Sequence, residues 1–442
     1  MIASLVVLKN GYTWAEVATS GKIAFATLVT PVLVLLSVGA LIGTWNLSGT
    51  IPTLAFYGIK LLRPGYFYVA AFVVCAVISI SVGSAWATAG TIGVGLVGLA
   101  SLEGVSAPMT AGAVISGAYV GDELSPLSET TVLTSQLGGI DLFTHLRSQV
   151  WTSGPAFAIA FIAFALLGWL APVASGVDTD SELRKIDQLF RITPWNLLPL
   201  IVLIILSIRK VPTALAIMLS ALLAGLMAPL LQRPAMLRFI NDHTVTAPYA
   251  DIKAVWLALG TGYEAHSGIP VLDRLLSRGG MEGMLHTLWI IIGAVSFGTL
   301  LGEFKLLTKL LNPLLARAHT TGRLIGSVVA ADFGLNVLAG DQHVALVLHA
   351  QLFRDEFRKR GIQPQILTRA SADGGSVTSA LVPWNSCGAY LAATLGVPTL
   401  SFVPFCIFNI ASPLLSVLWG VTGFTVNRVS ASDATTERRP RA

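Results

Sequence analysis

The stretch Gly121-Asp-Glu-Leu-Ser-Pro-Leu-Ser-Glu-Thr-Thr131 is strongly polar, yet it lies inside a long apolar part of the chain. No Lys or Arg occurs anywhere between residues 64 and 146. Acids do occur there, namely Glu103, Asp122, Glu123, Glu129 and Asp141. Gly and Pro interrupt helices, so the stretch predicts a helix break that carries acidic side chains without basic partners.

The composition of the whole chain is typical of a membrane protein. Of its 442 residues, 54% are hydrophobic and only 12% are charged, against about 25% charged in ordinary soluble domains. A membrane-spanning helix needs about 20 mostly apolar residues, so long uncharged runs predict about ten or eleven helical segments, several of them short or broken. These runs are 23–59, 64–102, 148–177, 211–232, 283–302 and 374–427.

The net charge of +5 is concentrated in connecting segments and in the C-terminal tail. Basic loops indicate the cytoplasmic side of a membrane, so we expect a cytoplasmic C-terminus. The basic residues are not interleaved with aromatic ones on a soluble face, which argues against a nucleic-acid partner. The cysteines Cys75, Cys387 and Cys406 show neither a disulfide framework nor metal-ligand spacing. We expect no cofactor, and the lipid bilayer as the main partner.

Short internal matches indicate a duplication. They pair residues 37–43 with 296–302, 89–94 with 339–344, and 124–127 with 378–381. We therefore predict a first repeat at residues 1–177 and a second, inverted repeat at 192–427. A polar linker at 178–191 separates them, and a basic polar tail follows at 428–442. The second repeat opens with apolar segments that the first lacks, so we expect one or two N-terminal helices to be missing from the first. Inverted repeats with broken helices are a recurring transporter design.

Two polar stretches in each repeat interrupt the helical pattern, at 81–91, 121–131, 332–341 and 373–385. Backbone freed from helical bonding survives in a membrane only when it is buried in protein or lines a wet cavity. Free carbonyls, short polar side chains and helix dipoles together make an oxygen-rich site of the kind that Na+ prefers. The predicted fold is an all-α polytopic membrane protein, built from inverted structural repeats with re-entrant hairpins and broken transmembrane helices.

The acids in these stretches are the main candidates for function. A membrane-embedded carboxylate is costly and points to a functional role. Without a basic partner it binds either a cation or a proton, and competition between Na+ and H+ would couple their exchange. We predict Na+ at Asp122, Asp341 and Asp373. Further candidate ligands on the same stretches are Glu129, Thr91, Ser125, Thr130, Asn336 and Asn385.

Structural roles remain open for several polar residues. Hydroxyl side chains after a break commonly cap the next helix, and amides can satisfy free backbone groups. Capping is the alternative for Ser125, Ser128, Thr130 and Thr131, and hydrogen bonding to backbone groups is the alternative for Asn336 and Asn385. Glu123 can instead face a loop. His343 can be an ordinary helix histidine rather than a proton relay.

Segments 41–52, 83–93, 117–131, 141–147 and 373–388 resemble the NhaC family of Na+/H+ antiporters, in order and over nearly the whole chain. The resemblance implies inverted repeats, re-entrant hairpins and often a dimer, so we expect a possible homodimer in the bacterial plasma membrane. Carried over by position, the family's motifs fall on Asp122, Ser125, Pro126, Thr130, Asp341, Gln342, Asp373, Thr378, Ser379 and Asn385.

Two positions depart from the family pattern. Glu129 stands where relatives usually carry Asp, and Ala372 stands where an acid is common before Asp373. The first departure would reshape the site slightly. The second would change the ion stoichiometry or remove a secondary site.

The predicted function is secondary active Na+/H+ antiport, without enzymatic activity. The alternative is a Na+- and H+-coupled organic-acid exchanger of the malate/lactate type, as in some relatives. No Lys or Arg lies within the broken stretches, which favours the cation antiporter, although helix N-termini can hold an anion. An intramembrane aspartyl hydrolase would use Asp122 and Asp341, but the flanking residues do not match a Gly-x-Gly-Asp pattern. A passive channel would show no proton-coupled counterflow.

Overall fold

The computed structural model describes residues 2–61, 64–170, 184, 186–240, 249–266, 273, 276–277, 279–307, 313 and 318–426. Helices dominate this part of the chain. They are α1 (Ile2–Lys9), α2 (Trp14–Leu47), α3 (Thr50–Leu61), α4 (Phe67–Val82), α5 (Ala85–Thr88), α6 (Val94–Leu102), α7 (Ala107–Leu124), α8 (Glu129–Gly138), α9 (Leu142–Leu170), α10 (Leu198–Ile208), α11 (Thr213–Leu231), α12 (Arg233–Ile240), α13 (Tyr249–Gly260), α14 (Leu285–Glu303), α15 (Thr321–Ala339), α16 (Gln342–Lys359), α17 (Pro364–Ser371), α18 (Ser386–Leu395), α19 (Thr399–Phe402) and α20 (Ile407–Thr422).

Several of these helices have the length and composition of membrane spans. Within the described residues five are long and apolar enough to cross a membrane: Trp14–Leu47, Leu142–Leu170, Thr213–Leu231, Glu282–Glu303 and Thr321–Ala339. A bent pair, α18 with the segment that follows it, turns by 87° as a broken span or re-entrant loop would. Shorter apolar helices include α4, α10 and α20. The prediction of a helical polytopic membrane protein with short and broken segments is confirmed, whereas the inverted symmetry of its repeats stays a prediction.

Small residues let the helices of the interior approach closely. Helix α4 packs along α7. A Cβ atom added to Gly121 would lie 2.2 Å from Ser79 Cβ, and one added to Gly117 would lie 2.2 Å from the Phe72 carbonyl oxygen. The Ser79 hydroxyl donates a 2.5 Å hydrogen bond to the Ala118 carbonyl across this interface. Close backbone contact through small residues is the usual way in which membrane helices pack.

The two predicted repeats are packed against each other. Helix α2 contacts α11, α13 and α14, and a Cβ on Gly43 would lie 2.0 Å from the Ala258 carbonyl oxygen. Helix α9 packs against α20. Elements from both predicted repeats therefore contribute to the interior of the protein.

Three of the four predicted polar stretches are broken as expected. Gly83, at the end of α4, has a φ of 73°, a left-handed conformation that favours glycine. The α7–α8 connection spans 125–128, and a π turn (Ala372–Ser376) is followed by a 3-10 turn (Val377–Leu381). Irregular backbone is thus concentrated between the apolar helices.

The stretch 332–341 differs from the prediction. Helix α15 continues without interruption to Ala339, and the break is confined to Gly340, with a φ of 68°, and Asp341. The physical reason is that this stretch contains no Pro, and a single Gly inside a helix costs only about 1 kcal/mol. The buried side chain of Leu335 also holds this turn in the core. Asn336 therefore lies on a regular helix and not in a break.

Residues 178–183 and 185 of the predicted linker, and the whole predicted tail at 428–442, lie outside the described residues.

Candidate functional site

The buried carboxylate of Asp122 is held by the hydroxyls that follow the first helix break. Asp122 lies in the last turn of α7 and is 7% exposed. The Ser128 hydroxyl donates to its Oδ1 and the Thr130 hydroxyl to its Oδ2, each at 3.0 Å. The Thr131 hydroxyl donates a 2.8 Å hydrogen bond to the Asp122 carbonyl. Ser128 also caps α8, so capping and carboxylate binding occur in the same turn.

Two other predicted residues of this stretch do not contact the Asp122 carboxylate. The Ser125 hydroxyl donates a 2.8 Å hydrogen bond to the Ile80 carbonyl and so connects the α7–α8 turn to α4. Glu129 is the first residue of α8, and its side chain is 84% exposed. Its Oε1 atom lies 4.0 Å from His343 Nε2. Glu129 is therefore at the surface beside the site and not among its buried ligands.

Asp341 caps α16 and contacts a second helix. Its Oδ1 accepts from the backbone N–H of His343 at 2.9 Å, and its Oδ2 accepts from the Ser386 hydroxyl at 2.9 Å. His343 Nδ1 lies 3.4 Å from Asp341 Oδ1. His343 thus lies between Asp341 and the exposed Glu129. The Asp-x-His spacing at the helix start was the available sequence signal for this contact.

Asp373 lies fully buried in the π turn and draws its partners from two distant helices. Its Oδ1 accepts from Gln149 Nε2 at 2.8 Å, from the Thr152 hydroxyl at 3.2 Å and from the Ser412 hydroxyl at 2.6 Å. Its Oδ2 is buried and has no hydrogen-bond partner among the described residues. Sequence reasoning missed these three partners. The only signal was their polarity within apolar runs.

Asn336, Thr378 and Asn385 form a connected amide and hydroxyl group beside the π turn. Asn336 Nδ2 donates to the Gly375 carbonyl at 2.6 Å and to the Thr378 hydroxyl at 3.0 Å. Asn385 Nδ2 donates to Asn336 Oδ1 at 3.1 Å, and Asn385 Oδ1 caps α18. These contacts provide hydrogen-bond partners for backbone groups at the break. They match the structural alternative for the two asparagines.

The remaining predicted residues have different surroundings. The Thr91 hydroxyl donates to the Ala87 carbonyl of its own helical segment at 2.7 Å. Ser379 connects three elements, because its hydroxyl donates to the Ser376 carbonyl at 2.6 Å and lies 3.2 Å from the Tyr119 hydroxyl and 3.3 Å from Gln342 Oε1. Tyr119 belongs to the first predicted repeat, so Ser379 connects the two predicted repeats.

Glu123 is a buried acid that the site prediction left out. It is 1% exposed and directly follows Asp122 in the last turn of α7. The expectation that it can face a loop does not hold. Its position next to Asp122 in the last turn of an apolar helix was the signal that could have identified it.

One buried base lies close to the π turn. Arg369, on α17, is 1% exposed. Its Nη1 donates to the Thr425 hydroxyl at 3.1 Å, and its Nε has no hydrogen-bond partner in the structure. The broken stretches themselves contain no Lys or Arg, but this guanidinium lies one turn before Asp373 and was not among the predicted site residues.

The arrangement provides oxygen ligands from carboxylates, hydroxyls, amides and backbone carbonyls. Among the described residues, no three His, Cys, Asp or Glu side chains converge as the ligands of one metal ion would. Oxygen atoms of these kinds are the ligands that hard cations prefer.

Comparisons with known proteins identify the family of the chain. Residues 2–141 and 117–424 match the Na+/H+ antiporter family. The chain is 32% identical over 425 residues to the malate-2H(+)/Na(+)-lactate antiporter of Bacillus subtilis (strain 168), covering 96% of this chain and 87% of the relative.

Two further relatives are named Na(+)/H(+) antiporter NhaC. The Bacillus subtilis (strain 168) protein is 32% identical over 425 residues, covering 95% of this chain and 90% of the relative. The Alkalihalophilus pseudofirmus protein is 30% identical over 400 residues, covering 90% of this chain and 83% of the relative. The chain belongs to the Na+/H+ antiporter family.

Proposed function

We propose that this chain is an integral membrane transporter that exchanges Na+ for H+ at the buried carboxylates of Asp122, Asp341 and Asp373. The observation that carries the proposal is the chemistry around Asp122 and Asp373. Both carboxylates are buried, and their hydrogen-bond partners are neutral hydroxyl and amide groups. The family relationship supports the same conclusion.

Neutral donors orient a carboxylate but leave its negative charge in place. A buried charge is costly unless it is neutralised. Either Na+ or a proton can neutralise it, and a carboxylate that holds a proton is a poor ligand for Na+. Alternate occupation by the two ions, combined with access from alternate sides of the membrane, produces coupled exchange. Helix breaks contributed by both predicted repeats would supply the movable elements.

The membrane setting follows from the apolar surface. Large apolar side chains on α11, such as Leu226 and Leu230, are exposed to the surroundings of the protein, which fits contact with lipid. We place the protein in the bacterial plasma membrane, and a homodimer remains an expectation from the resemblance.

The test is transport by the purified full-length protein in proteoliposomes with an imposed pH gradient and a pH-sensitive dye inside. We expect external Na+ to dissipate the gradient, and an Asp122→Asn variant to lose this response. If neither Na+ nor Li+ moves protons in the wild type, the proposal is wrong. K+ serves as the control for cation selectivity.

Organic-acid exchange is the second candidate, and two observations favour it. One relative is named a malate-2H(+)/Na(+)-lactate antiporter, and the Nε of the buried Arg369 has no hydrogen-bond partner among the described residues. In the same vesicles, internal lactate with external malate would then move protons, whereas Na+ alone would not. That result would replace the cation antiporter with the organic-acid exchanger.

A further inference from the structure

We propose that the side-chain oxygen of Gln149 is a ligand of the sodium ion at Asp373, so that one amide both orients this carboxylate and contacts the ion. The inference rests on the proposed Na+/H+ exchange and deepens it, because it identifies a neutral ligand of the transported ion. No motif of the resemblance contains Gln149, so the assignment comes from its position in the structure.

The two oxygens of the Asp373 carboxylate have different surroundings. Asp373 is 0% exposed. Its Oδ1 accepts hydrogen bonds from Gln149 Nε2, the Thr152 hydroxyl and the Ser412 hydroxyl, at 2.8, 3.2 and 2.6 Å. Its Oδ2 is buried and accepts no hydrogen bond within the described part of the chain. The donors therefore hold one oxygen of the carboxylate and leave the other able to bind a cation.

The amide of Gln149 is divided in the same way. Gln149 is 0% exposed. Its Nε2 donates to Asp373 Oδ1 at 2.8 Å and to the Ser153 hydroxyl at 3.2 Å. An amide nitrogen carries two hydrogens, so both of them are used. The Oε1 atom is also buried, and no donor reaches it from the residues that the structure describes.

Two buried oxygens without partners thus flank one hydrogen bond. Asp373 Oδ2 belongs to the same carboxylate as the acceptor, and Gln149 Oε1 belongs to the same amide as the donor. Buried polar atoms in native proteins nearly always have a partner, which can be an ordered water or an ion. An ionised carboxylate and an amide oxygen only accept, so this partner has to be a cation or a hydrogen-bond donor. A single small ion beside the bond can contact both oxygens.

A cation fits these oxygens better than a water molecule, because one of them is negatively charged. The hydrogen-bond donors on Asp373 are neutral groups that orient the charge without neutralising it. A buried charge is costly unless it is paired. A sodium ion supplies one positive charge, and carboxylate and amide oxygens are ligands that hard cations accept.

A nearby base makes the neutral ligand more important. Arg369 lies one turn before Asp373 and is 1% exposed. Its Nη1 donates to the Thr425 hydroxyl at 3.1 Å. The positive charge of Arg369 interacts with the carboxylate and so weakens the attraction of Asp373 for a second cation. Ion binding then depends more strongly on neutral oxygens such as Gln149 Oε1.

A ligand and a hydrogen-bond donor affect ion binding differently. A donor to Asp373 stabilises the charge that attracts every cation, so its removal weakens the binding of Na+ and Li+ by the same factor. A ligand oxygen also sets the number of ligands and the size of the site, on which selectivity between cations depends. Because Na+ is larger than Li+ and takes more ligands, loss of one oxygen should weaken Na+ more than Li+.

The test compares Gln149→Leu with Thr152→Val in proteoliposomes of the full chain. Both substitutions remove a donor to Asp373 Oδ1, but only Gln149→Leu also removes the amide oxygen. We measure the concentrations of Na+ and of Li+ that give half-maximal dissipation of an imposed pH gradient. In Gln149→Leu we expect the ratio of the Na+ value to the Li+ value to rise by about threefold or more. In Thr152→Val both values should rise while their ratio stays that of wild type.

Direct binding gives a second readout, which does not need transport. An ion that binds the folded protein raises its unfolding temperature. We measure this temperature in detergent with NaCl and LiCl, and with choline chloride as the control for ionic strength. We expect Gln149→Leu to reduce the stabilisation by Na+ more than that by Li+. If Gln149→Leu does not fold, Gln149→Met keeps an unbranched side chain without the amide oxygen and replaces it in both measurements.

The outcomes separate this inference from the proposed function. If wild type shows no Na+-driven proton movement, the proposed function fails. If wild type is active but the Gln149 variant changes the Na+ and Li+ values by the same factor, or changes neither, the amide oxygen contacts water and not the ion. The inference is then wrong, while Na+/H+ exchange stands.

Discussion

The Gln149 amide donates a 2.8 Å hydrogen bond to Asp373 Oδ1, across a separation of 224 residues in the chain. Gln149 lies on the long α9 and Asp373 in the π turn between α17 and α18. The bond connects the two predicted repeats at an acid that we place in the sodium site. It also gives the one amide side chain of α9 a partner inside the protein.

Replacing Gln149 by Leu removes this donor while roughly conserving volume. Hydrogen bonds to charged groups contribute about 1.5–3 kcal/mol, so we expect the Na+ concentration for half-maximal exchange to rise by about tenfold or more. The measurement is dye-monitored exchange as a function of Na+. Ser148→Ala is the control, since the neighbouring Ser148 hydroxyl donates to the Gln365 carbonyl and not to Asp373. Equal effects of both substitutions would count against the contact.

Replacing Thr130 by Val tests the hydroxyl that holds Asp122. Loss of this donor removes one of the two hydroxyls that stabilise the ionised form of Asp122. Because Na+ binds the ionised form, Na+ should then compete less well with protons. We expect the half-maximal Na+ concentration to rise by about tenfold or more, because hydrogen bonds to charged groups contribute about 1.5–3 kcal/mol.

Thr134→Val is the matched control on the same helix, since the Thr134 hydroxyl donates only to the backbone carbonyl of Thr130. Unchanged sodium dependence in Thr130→Val would show that this hydroxyl has no role in ion binding.

Two substitutions of Asp341 separate its structural role from its ionic role. Asn is as good a helix cap as Asp, whereas Ala at a cap position costs about 1 kcal/mol. We expect Asp341→Asn to unfold at the wild-type temperature in detergent but to lose most exchange activity. Asp341→Ala should lose activity and also unfold at a lower temperature. Full activity in Asp341→Asn would remove Asp341 from the ion pathway and leave it as a cap.

Replacing Gly121 by Ala tests the close contact of α4 with α7. The new Cβ would lie 2.2 Å from Ser79 Cβ and 2.4 Å from the Ile80 nitrogen. Overpacking of this kind costs about 1–3 kcal/mol, so thermal stability in detergent should fall clearly.

Gly293→Ala is the control for that substitution. Gly293 lies on the exposed face of α14, and no atom lies within 4 Å of the position that a Cβ would take there. We expect this variant to be neutral or slightly stabilising, since Ala favours helix over Gly by about 1 kcal/mol. Equal stability of the two variants would contradict the close packing of α4 on α7.

The sequence by itself determined that the protein lies in lipid, that it is helical, and three of the four places where its helices break. Long uncharged runs are stable only in lipid, and in lipid the backbone N–H and C=O groups must bond to each other. These conclusions therefore depend only on composition and spacing. The residues that cap helices were also readable, because capping is local. Ser128, Asp341 and Asn385 each bind backbone groups within a few residues of themselves.

Only the tertiary structure decided which acids are buried and what surrounds them. Glu123 and Glu129 lie six positions apart in one polar stretch, yet Glu123 is buried in the last turn of α7 and Glu129 is exposed at the start of α8. The partners of Asp373 come from α9 and α20, far away in the chain. Spacing along a sequence fixes which residues share a helix face, but the faces that meet depend on how whole helices pack. The environment of a buried charge is set by those distant faces.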